Sequence, residues 1–170
     1  MLKLNQAERR ERYVIPTVDD VIHQVKGSSV FSKLDAASGF WQISLDRETE
    51  KLTTFVTPFG RYFFTHLPFG ISLAPEIFQR IMNEIISDIK GIICYFINIL
   101  CHDSATTEKH TLLLNQVKKR LQDIGLQLNN DKCEYYKSEI HFLGHVINKD
   151  GVKPDPLKVE AIVQMPQPTD

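Results

Sequence analysis

The stretch FSKLDAASGFWQISL, residues 31–45, decides the fold of this chain. Its first part has the apolar character of a buried strand, and the carboxylate of Asp35 stands where that strand ends. An unpaired charge is costly to bury, so an acid there needs a cation, several hydrogen-bond donors or an open cleft. The turn residues that follow leave a second interpretation open, in which Asp35 only forms a turn or caps a helix.

The composition of the chain limits the classes of protein to which it can belong. The chain has 170 residues, 42% of them hydrophobic and 24% charged, which suits one globular domain without a membrane span. Its cysteines, Cys94, Cys101 and Cys133, are odd in number and lack metal-ligand spacing, which predicts reduced thiols in an intracellular, cytoplasmic protein, with import into an organelle left open. The net charge of −1 gives a nucleic-acid partner no support, so any such surface must be local.

Apolar periodicity and turn residues predict the remaining elements. Helices are expected at residues 18–25, where Thr17 and Asp20 suit a capping box, and at 74–89, 106–124 and 157–163. Strands are expected at 29–34, 126–128, 132–136 and 139–148, hairpins at 52–67 and 92–101, and partial strand-like alternation at 40–45. A tail containing Pro166 and Pro168 resembles a linker.

This order of elements predicts an α+β fold, a split β-α-β antiparallel sheet with two helices on one face. The end of the first strand and the turn of the central hairpin are neighbours in that topology. Carboxylates on both would converge, and converging carboxylates hold the Mg²⁺ ions of two-metal phosphoryl transfer.

Four segments resemble the reverse transcriptase of gypsy-type long-terminal-repeat retrotransposons, an RNA-directed DNA polymerase within a Pol polyprotein. They are FSKLDAASGFWQI (31–43), TPFGRYFFTHLPFGISLAPEIFQRIMN (57–83), GLQLNNDKCEYYKSEIHFLGHVI (125–147) and GVKPDPLKVEAI (151–162). The resemblance implies a palm with partial fingers at residues 1–152, and the start of the thumb or a linker-like tail at 153–170. It also implies an RNA/DNA primer-template and a deoxynucleotide as partners, and it leaves the oligomeric state open.

The resemblance assigns roles to single residues. Asp35 matches the first catalytic, metal-binding aspartate, and Phe40 matches the side chain that blocks a ribose 2′-hydroxyl. The residues matching template or nucleotide contacts are Phe69, Gly70, Gln79 and Lys132, and those matching the primer grip are Phe142, Leu143, Gly144 and His145. From the residues alone, Phe40 also suits a core aromatic, Lys132 a solvated lysine, and 142–145 a hairpin with a glycine bulge. Leu73 stands where the family usually has asparagine.

The central hairpin departs from the family pattern at the positions that matter most. Where the family has two aspartates after tyrosine and a variable residue, this chain has Ile97 and Asn98. An aliphatic side chain offers no ligand, and a neutral amide binds Mg²⁺ far more weakly than a carboxylate. The sequence therefore predicts weak or lost Mg²⁺ binding and a nucleotidyltransferase that has become a pseudoenzyme. Two alternatives stay open: a non-catalytic module that binds primer-template, and a relic without function.

Overall fold

The computed structural model describes residues 2–7, 13–103 and 106–165. Its helices are α1 (Leu2–Ala7), α2 (Val18–Val25), α3 (Arg47–Leu52), α4 (Ala74–Ile86), α5 (Thr107–Asp123) and α6 (Pro156–Val163), with a 3-10 helix at Gly39–Gln42. Its strands are β1 (Val30–Asp35), β2 (Phe55–Thr57), β3 (Gly60–Tyr62), β4 (Ile92–Tyr95), β5 (Asn98–Asp103), β6 (Glu134–Lys137), β7 (Glu139–Phe142), β8 (His145–Asn148) and β9 (Gly151–Pro154). No helix in these ranges is long and apolar enough to cross a membrane.

A four-stranded antiparallel sheet in the order β4-β5-β1-β6 forms the centre of the fold. Phe31 and Leu34 of β1 point to opposite faces of this sheet, and both are 0% exposed. A strand that is covered on both faces is apolar along most of its length. This is why residues 31–34 predict a buried strand so clearly, and the predicted antiparallel α+β fold is confirmed.

The two long helices lie on one face of the central sheet, as predicted. α4 packs on β4, and α5 packs on β5 and β1. The core between them contains Leu34, Met82, Ile99 and Val117. Apolar residues at helical spacing produce this burial, because they place one stripe of each helix against the sheet.

The second face of the sheet is covered by α2 and a separate three-stranded sheet in the order β7-β8-β9. The prediction of one strand over residues 139–148 is wrong, because the chain reverses at Leu143 and Gly144. Both residues have positive φ, 52° and 74°, and they connect β7 to β8 as a hairpin. The alternative interpretation of 142–145 as a hairpin describes the local backbone correctly.

Other differences are local. The alternating segment 40–45 is no strand: its start is the 3-10 helix, and Ser44 makes only an isolated bridge to His66. The helix α3 was not predicted. Asp46 begins it, because its carboxylate accepts the backbone N–H groups of Glu48 and Thr49.

The remaining predicted elements are present with shifted ends. The hairpin expected at 52–67 is confirmed but pairs only β2 with β3, and residues 126–128 contribute a single bridge rather than a strand. The predicted capping box is confirmed, since Thr17 and Asp20 bond each other's backbone N–H groups. α6 buries none of its residues, and the proline tail at 166–170 lies outside the described residues.

The three cysteines are free thiols in the structure. Cys94 and Cys101 lie in the core beside α4 and α5. Burial raises the pKa of both thiols to about 12, so they stay protonated at neutral pH and are poor nucleophiles.

A buried histidine joins α5 to the central sheet. His110 is 0% exposed, and its Nε2 atom lies 2.8 Å from the Ser32 hydroxyl oxygen. That oxygen also accepts the backbone N–H of Tyr136, where the pairing of β1 with β6 is irregular. Nδ1 of His110 is buried without a hydrogen-bond partner among the described residues, so a second proton there would be unsatisfied.

We expect the free energy of unfolding to fall as the pH decreases from about 7.5 to about 5. Burial lowers the pKa of His110 and, at β5, of His102 below the ordinary value of 6.5. The unfolded chain therefore binds more protons in this range, so the stabilisation is complete above pH 6.5 and is lost below it. Urea unfolding at both pH values tests this.

The variant His110→Gln should lose part of that pH dependence, because glutamine can still bond Ser32 but does not titrate. A native chain that is equally stable, or more stable, at the lower pH would contradict the prediction.

Candidate functional site

Asp35 ends β1 next to the tip of the central hairpin. Its Cα atom pairs with that of Asn98 across β1 and β5, and the backbone N–H of Ala36 donates to the carbonyl of Ile97 at 2.8 Å. The residue is 7% exposed, and no donor or cation among the described residues contacts its carboxylate. Directly paired residues of antiparallel strands share a face, so the Asp35 and Asn98 side chains project to the same side of the sheet.

Ile97 does not share this position. It lies in the turn between β4 and β5 and packs against the apolar core beside α4. Its Cγ2 atom would be 2.5 Å from a Cβ atom built on Gly39, and the ring of Phe78 would be at 3.2 Å. An aliphatic side chain therefore fills the space between the hairpin tip and the turn after Asp35.

Gly39→Ala is expected to destabilise the chain by about 1–3 kcal/mol, the usual cost of overpacking a core. The added methyl would overlap the Cγ2 atom of Ile97, which is held on a stiff β-branched side chain. In an Ile97→Ala background the same substitution should cost less, since that methyl is gone. Equal costs in both backgrounds, measured by urea unfolding, would show that the two residues are not in contact.

The turn after Asp35 is held by a side chain that sequence reasoning missed. Gln42 donates through Nε2 to the carbonyls of Ala37 and Gln127, and its Oε1 atom accepts the backbone N–H of Gln127 at 2.6 Å. The only signal in the sequence is a glutamine between aromatic and aliphatic neighbours. One of its two partners, Gln127, lies 85 residues away in the chain, so the sequence could not show this role.

Phe40 lies in the 3-10 helix beside the site and is half-buried. Its ring is 5.3 Å from that of Phe69 and 5.7 Å from that of Phe78. Phe69 is 60% exposed, and Gly70 has φ of 93°, a conformation that glycine adopts without strain. Phe40 thus lies at the edge of the core, since one ring neighbour is buried and the other is exposed, and its role as a block to a ribose 2′-hydroxyl stays a prediction.

Gln79 lies elsewhere than the resemblance implies. It is 0% exposed, and its amide bonds the backbone of Cys94 and Phe96 beneath the hairpin. A side chain that is fully buried and already bonded has no surface for a template or a nucleotide. The interpretation of Gln79 as a direct contact is therefore corrected.

Lys132 is exposed in a turn that approaches the end of β1. In this turn the backbone N–H of Asn129 donates to the carbonyl of Asp35 at 2.8 Å. Cys133 follows, and its sulfur lies 3.5 Å from the backbone nitrogen of Asp35. The structure thus brings the segment of Lys132 beside the end of β1, and a contact of Lys132 with a nucleotide stays a prediction.

The segment 142–145 connects β7 to β8 on the face of the central sheet that carries Asp35. Lys33, two residues before Asp35 on that face, donates to the carbonyl of His141 at 3.4 Å and forms an ion pair with Glu134. Phe142 is buried, Leu143 and His145 are half-buried, and the side chain of Lys158 lies over Gly144. These residues form a turn with a basic side chain above it.

The donor set at the hairpin does not fit a pair of Mg²⁺ ions. It offers one carboxylate and one neutral amide, and Ile97 supplies no oxygen. Asp103 cannot replace the missing acids, because it is the last residue of β5 and pairs with Val30 at the opposite end of β1. The described part of the chain holds no group of three or more His, Cys, Asp or Glu side chains arranged for a metal ion.

An antiparallel sheet with two helices on one face, and an acid where the first strand meets a central hairpin, is the arrangement expected of a polymerase palm domain. The chain belongs to the reverse transcriptase (RNA-dependent DNA polymerase) family, whose sequence profile matches residues 2–147.

Retrotransposon polyproteins are among its relatives. The chain is 40% identical over 169 residues to the retrovirus-related Pol polyprotein from transposon 297 of Drosophila melanogaster, and 32% identical over 167 residues to that from transposon gypsy. These matches cover 98% of the chain and 16% of each polyprotein. The enzymatic polyprotein of Cauliflower mosaic virus is 32% identical, with 96% of this chain and 24% of that protein covered.

Solved structures confirm the fold. The chain superposes on foamy viral protease-reverse transcriptase in complex with dsDNA with a TM-score of 0.87 and 21% identity, covering 98% of this chain and 35% of that one. The same enzyme in complex with RNA/DNA hybrid gives a TM-score of 0.82 at 22% identity, covering 91% and 21%.

Proposed function

We propose that this chain is a reverse transcriptase palm, from a retrotransposon Pol polyprotein, that has lost nucleotidyl transfer. The observation that carries the proposal is the pairing of Asp35 with Asn98 while Ile97 packs on Gly39 and Phe78. In this proposal the chain keeps the strand pairing of the ancestral site but has a neutral or aliphatic side chain at two of its ligand positions.

The chemistry explains the size of the expected loss. Two-metal sites stabilise the attacking and leaving oxygens of phosphoryl transfer, and this is worth several kcal/mol in the transition state. Each 1.36 kcal/mol corresponds to about tenfold in rate, so losing two ligands costs orders of magnitude. Asp35, with a single neutral amide opposite, cannot hold two divalent ions in place.

Primer extension on an RNA template, with Mg²⁺ or Mn²⁺ and deoxynucleotides, tests this proposal. We expect no incorporation above that of the Asp35→Ala variant. Incorporation that Asp35→Ala abolishes would overturn it, because it would show that the surviving acid still assembles a working site.

A second function, binding of an RNA/DNA primer-template without extension, is supported by the basic side chains around the site. Lys132 and Lys158 are both exposed, one in the turn beside Asp35 and the other over Gly144. Phosphate neutralisation supplies most of the affinity in such complexes. The structural relatives bound to dsDNA and RNA/DNA hybrid are in keeping with this role, whereas the net charge of −1 predicts weak binding.

Binding of a labelled RNA/DNA duplex at increasing salt tests this second function. Lys132→Gln with Lys158→Gln should reduce the salt slope by about 1 per lysine. Lys109→Gln with Lys119→Gln makes the same change of charge at exposed positions on α5 and should leave the slope unchanged. If both pairs of substitutions lowered the salt slope equally, the binding would reflect non-specific charge alone. That outcome would favour a relic without function.

The boundary between the palm and the thumb is also part of the proposal. Residues 1–152 would form the palm with partial fingers, and 153–170 the entry to a thumb. In support, α6 follows β9 directly and buries none of its side chains.

A further inference from the structure

The tip of the central hairpin has a conformation that its own residues do not favour. Tyr95 pairs with Asn98, so Phe96 and Ile97 form a two-residue turn. Phe96 has φ of 50°, in the left-handed region. Turns of this length normally place glycine, asparagine or aspartate at such a position, and a bulky residue there costs about 1–2 kcal/mol. Contacts from outside the turn must therefore hold it.

Gln79 supplies the main contacts. Its Oε1 atom accepts the backbone N–H of Phe96 at 2.7 Å, and its Nε2 atom donates to the carbonyl of Cys94 at 2.8 Å. One planar amide thus bonds both the end of β4 and the first residue of the turn. Because Gln79 lies on α4 and is fully buried, the turn is fixed to the rigid helix layer.

A second amide holds Gln79 in place. Its Nε2 atom also donates to Oδ1 of Asn83, one helical turn along α4, at 3.0 Å. The Nδ2 atom of Asn83 donates in turn to the hydroxyl of Tyr13 at 2.8 Å. The acceptor and both donor hydrogens of the Gln79 amide are therefore used, so the amide has one orientation.

We infer that Gln79 is the positioning residue of the hairpin tip: it imposes the left-handed conformation of Phe96 and so directs Asn98 toward Asp35 and Ile97 toward Gly39. The inference does not rest on the proposed loss of polymerisation. It concerns how the tip is held, whether or not the tip carries chemistry.

Amide hydrogen exchange gives a direct test, because the Phe96 N–H has a side chain as its acceptor rather than a strand partner. In the native chain the Phe96 amide should be protected like the amide of Leu100 within β5. A Phe96 amide that exchanges at the rate of a free peptide would overturn the inference without any variant.

Gln79→Met keeps the length of the side chain and removes its polar atoms. We expect it to accelerate exchange at Phe96, relative to Leu100, by at least about tenfold, since a buried N–H loses its acceptor. The ratio of the two amides separates a local effect from a general loss of stability, which would accelerate both. An unchanged ratio would overturn the inference.

Gln42→Met is the matched control, since Gln42 bonds the opposite wall of the site. It should accelerate exchange at Gln127, whose N–H it accepts, and leave the Phe96 ratio unchanged. Asn83→Ala keeps both bonds of Gln79 to the hairpin and should change the Phe96 ratio by no more than about twofold. If either variant changed the Phe96 ratio more than Gln79→Met does, Gln79 would not be the residue that positions the hairpin tip.

Discussion

Ile97→Asp combined with Asn98→Asp is expected to raise the affinity of the chain for Mn²⁺ by at least about tenfold. Position 98 faces the same side of the sheet as Asp35, so an aspartate there adds a second carboxylate directly across the strand pair. An aspartate at 97 would have to turn away from Gly39 and the core to add a third, so position 98 should account for most of the gain. Isothermal titration calorimetry at fixed ionic strength measures the change.

Asp35→Ala in the restored chain is the control for this experiment and should remove most of the gain. An affinity that does not rise on restoration would show that Asp35 and the hairpin do not form one site. Restored metal binding without primer extension would not contradict the proposed site geometry, because the relatives contain further chain that polymerisation can require. The chain spans only 16% of the transposon 297 polyprotein.

Restoration should also lower the stability of the metal-free chain. Ile97 loses its packing on Gly39 and Phe78, and close carboxylates repel each other. Mn²⁺ binds the folded state, so it should recover part of the loss and raise the melting temperature. Asn98→Asp alone keeps the packing of Ile97 and should be the less destabilising change.

Phe78→Ala is expected to lower the free energy of unfolding by about 3–5 kcal/mol, the usual cost of removing a buried aromatic ring. Phe78 is 1% exposed on α4, and its ring contacts Phe40 and lies next to the turn at Gly39. The loss would leave a cavity between the helix layer and the site. Urea unfolding measures the change, and Phe40 should lose order at the same time.

Phe69→Ala is the matched control, because Phe69 is the other ring neighbour of Phe40 but is 60% exposed. It should cost less than about 1 kcal/mol, as surface substitutions usually do. Similar losses from both variants would mean that Phe40 is supported from the solvent side, and the description of the core would be wrong.

Local pattern explains which elements the sequence predicted. α4 and α5 have apolar residues at helical spacing, and the central hairpin is a nearly unbroken apolar run, so their burial follows from the residues themselves. α3 was missed because it depends on one capping carboxylate, Asp46, and buries nothing. The prediction of one strand over 139–148 failed because a non-glycine residue, Leu143, takes a positive φ at the turn, which only the alternative interpretation of 142–145 as a hairpin anticipated.

The residues of the candidate site also fall into those that the sequence predicted and those that it could not assign. The neighbourhood of Asp35 and the hairpin follows from the topology, and the missing acids at 97 and 98 can be read directly. The bonds of Gln79 to Phe96 and of Gln42 to Gln127 could not be assigned, since these partners lie 17 and 85 residues away. A polar residue in an apolar helix or turn shows that it needs partners, but not which ones.

The sequence by itself determined the antiparallel α+β fold, the family and the loss of two carboxylates, because periodicity, turn residues and side-chain identity are local properties. Only the tertiary structure decided where those residues point: Asn98 toward the side of Asp35, Ile97 into the core, and Gln79 beneath the hairpin. Strand register and the bonds of buried amides join distant parts of the chain, and packing sets both.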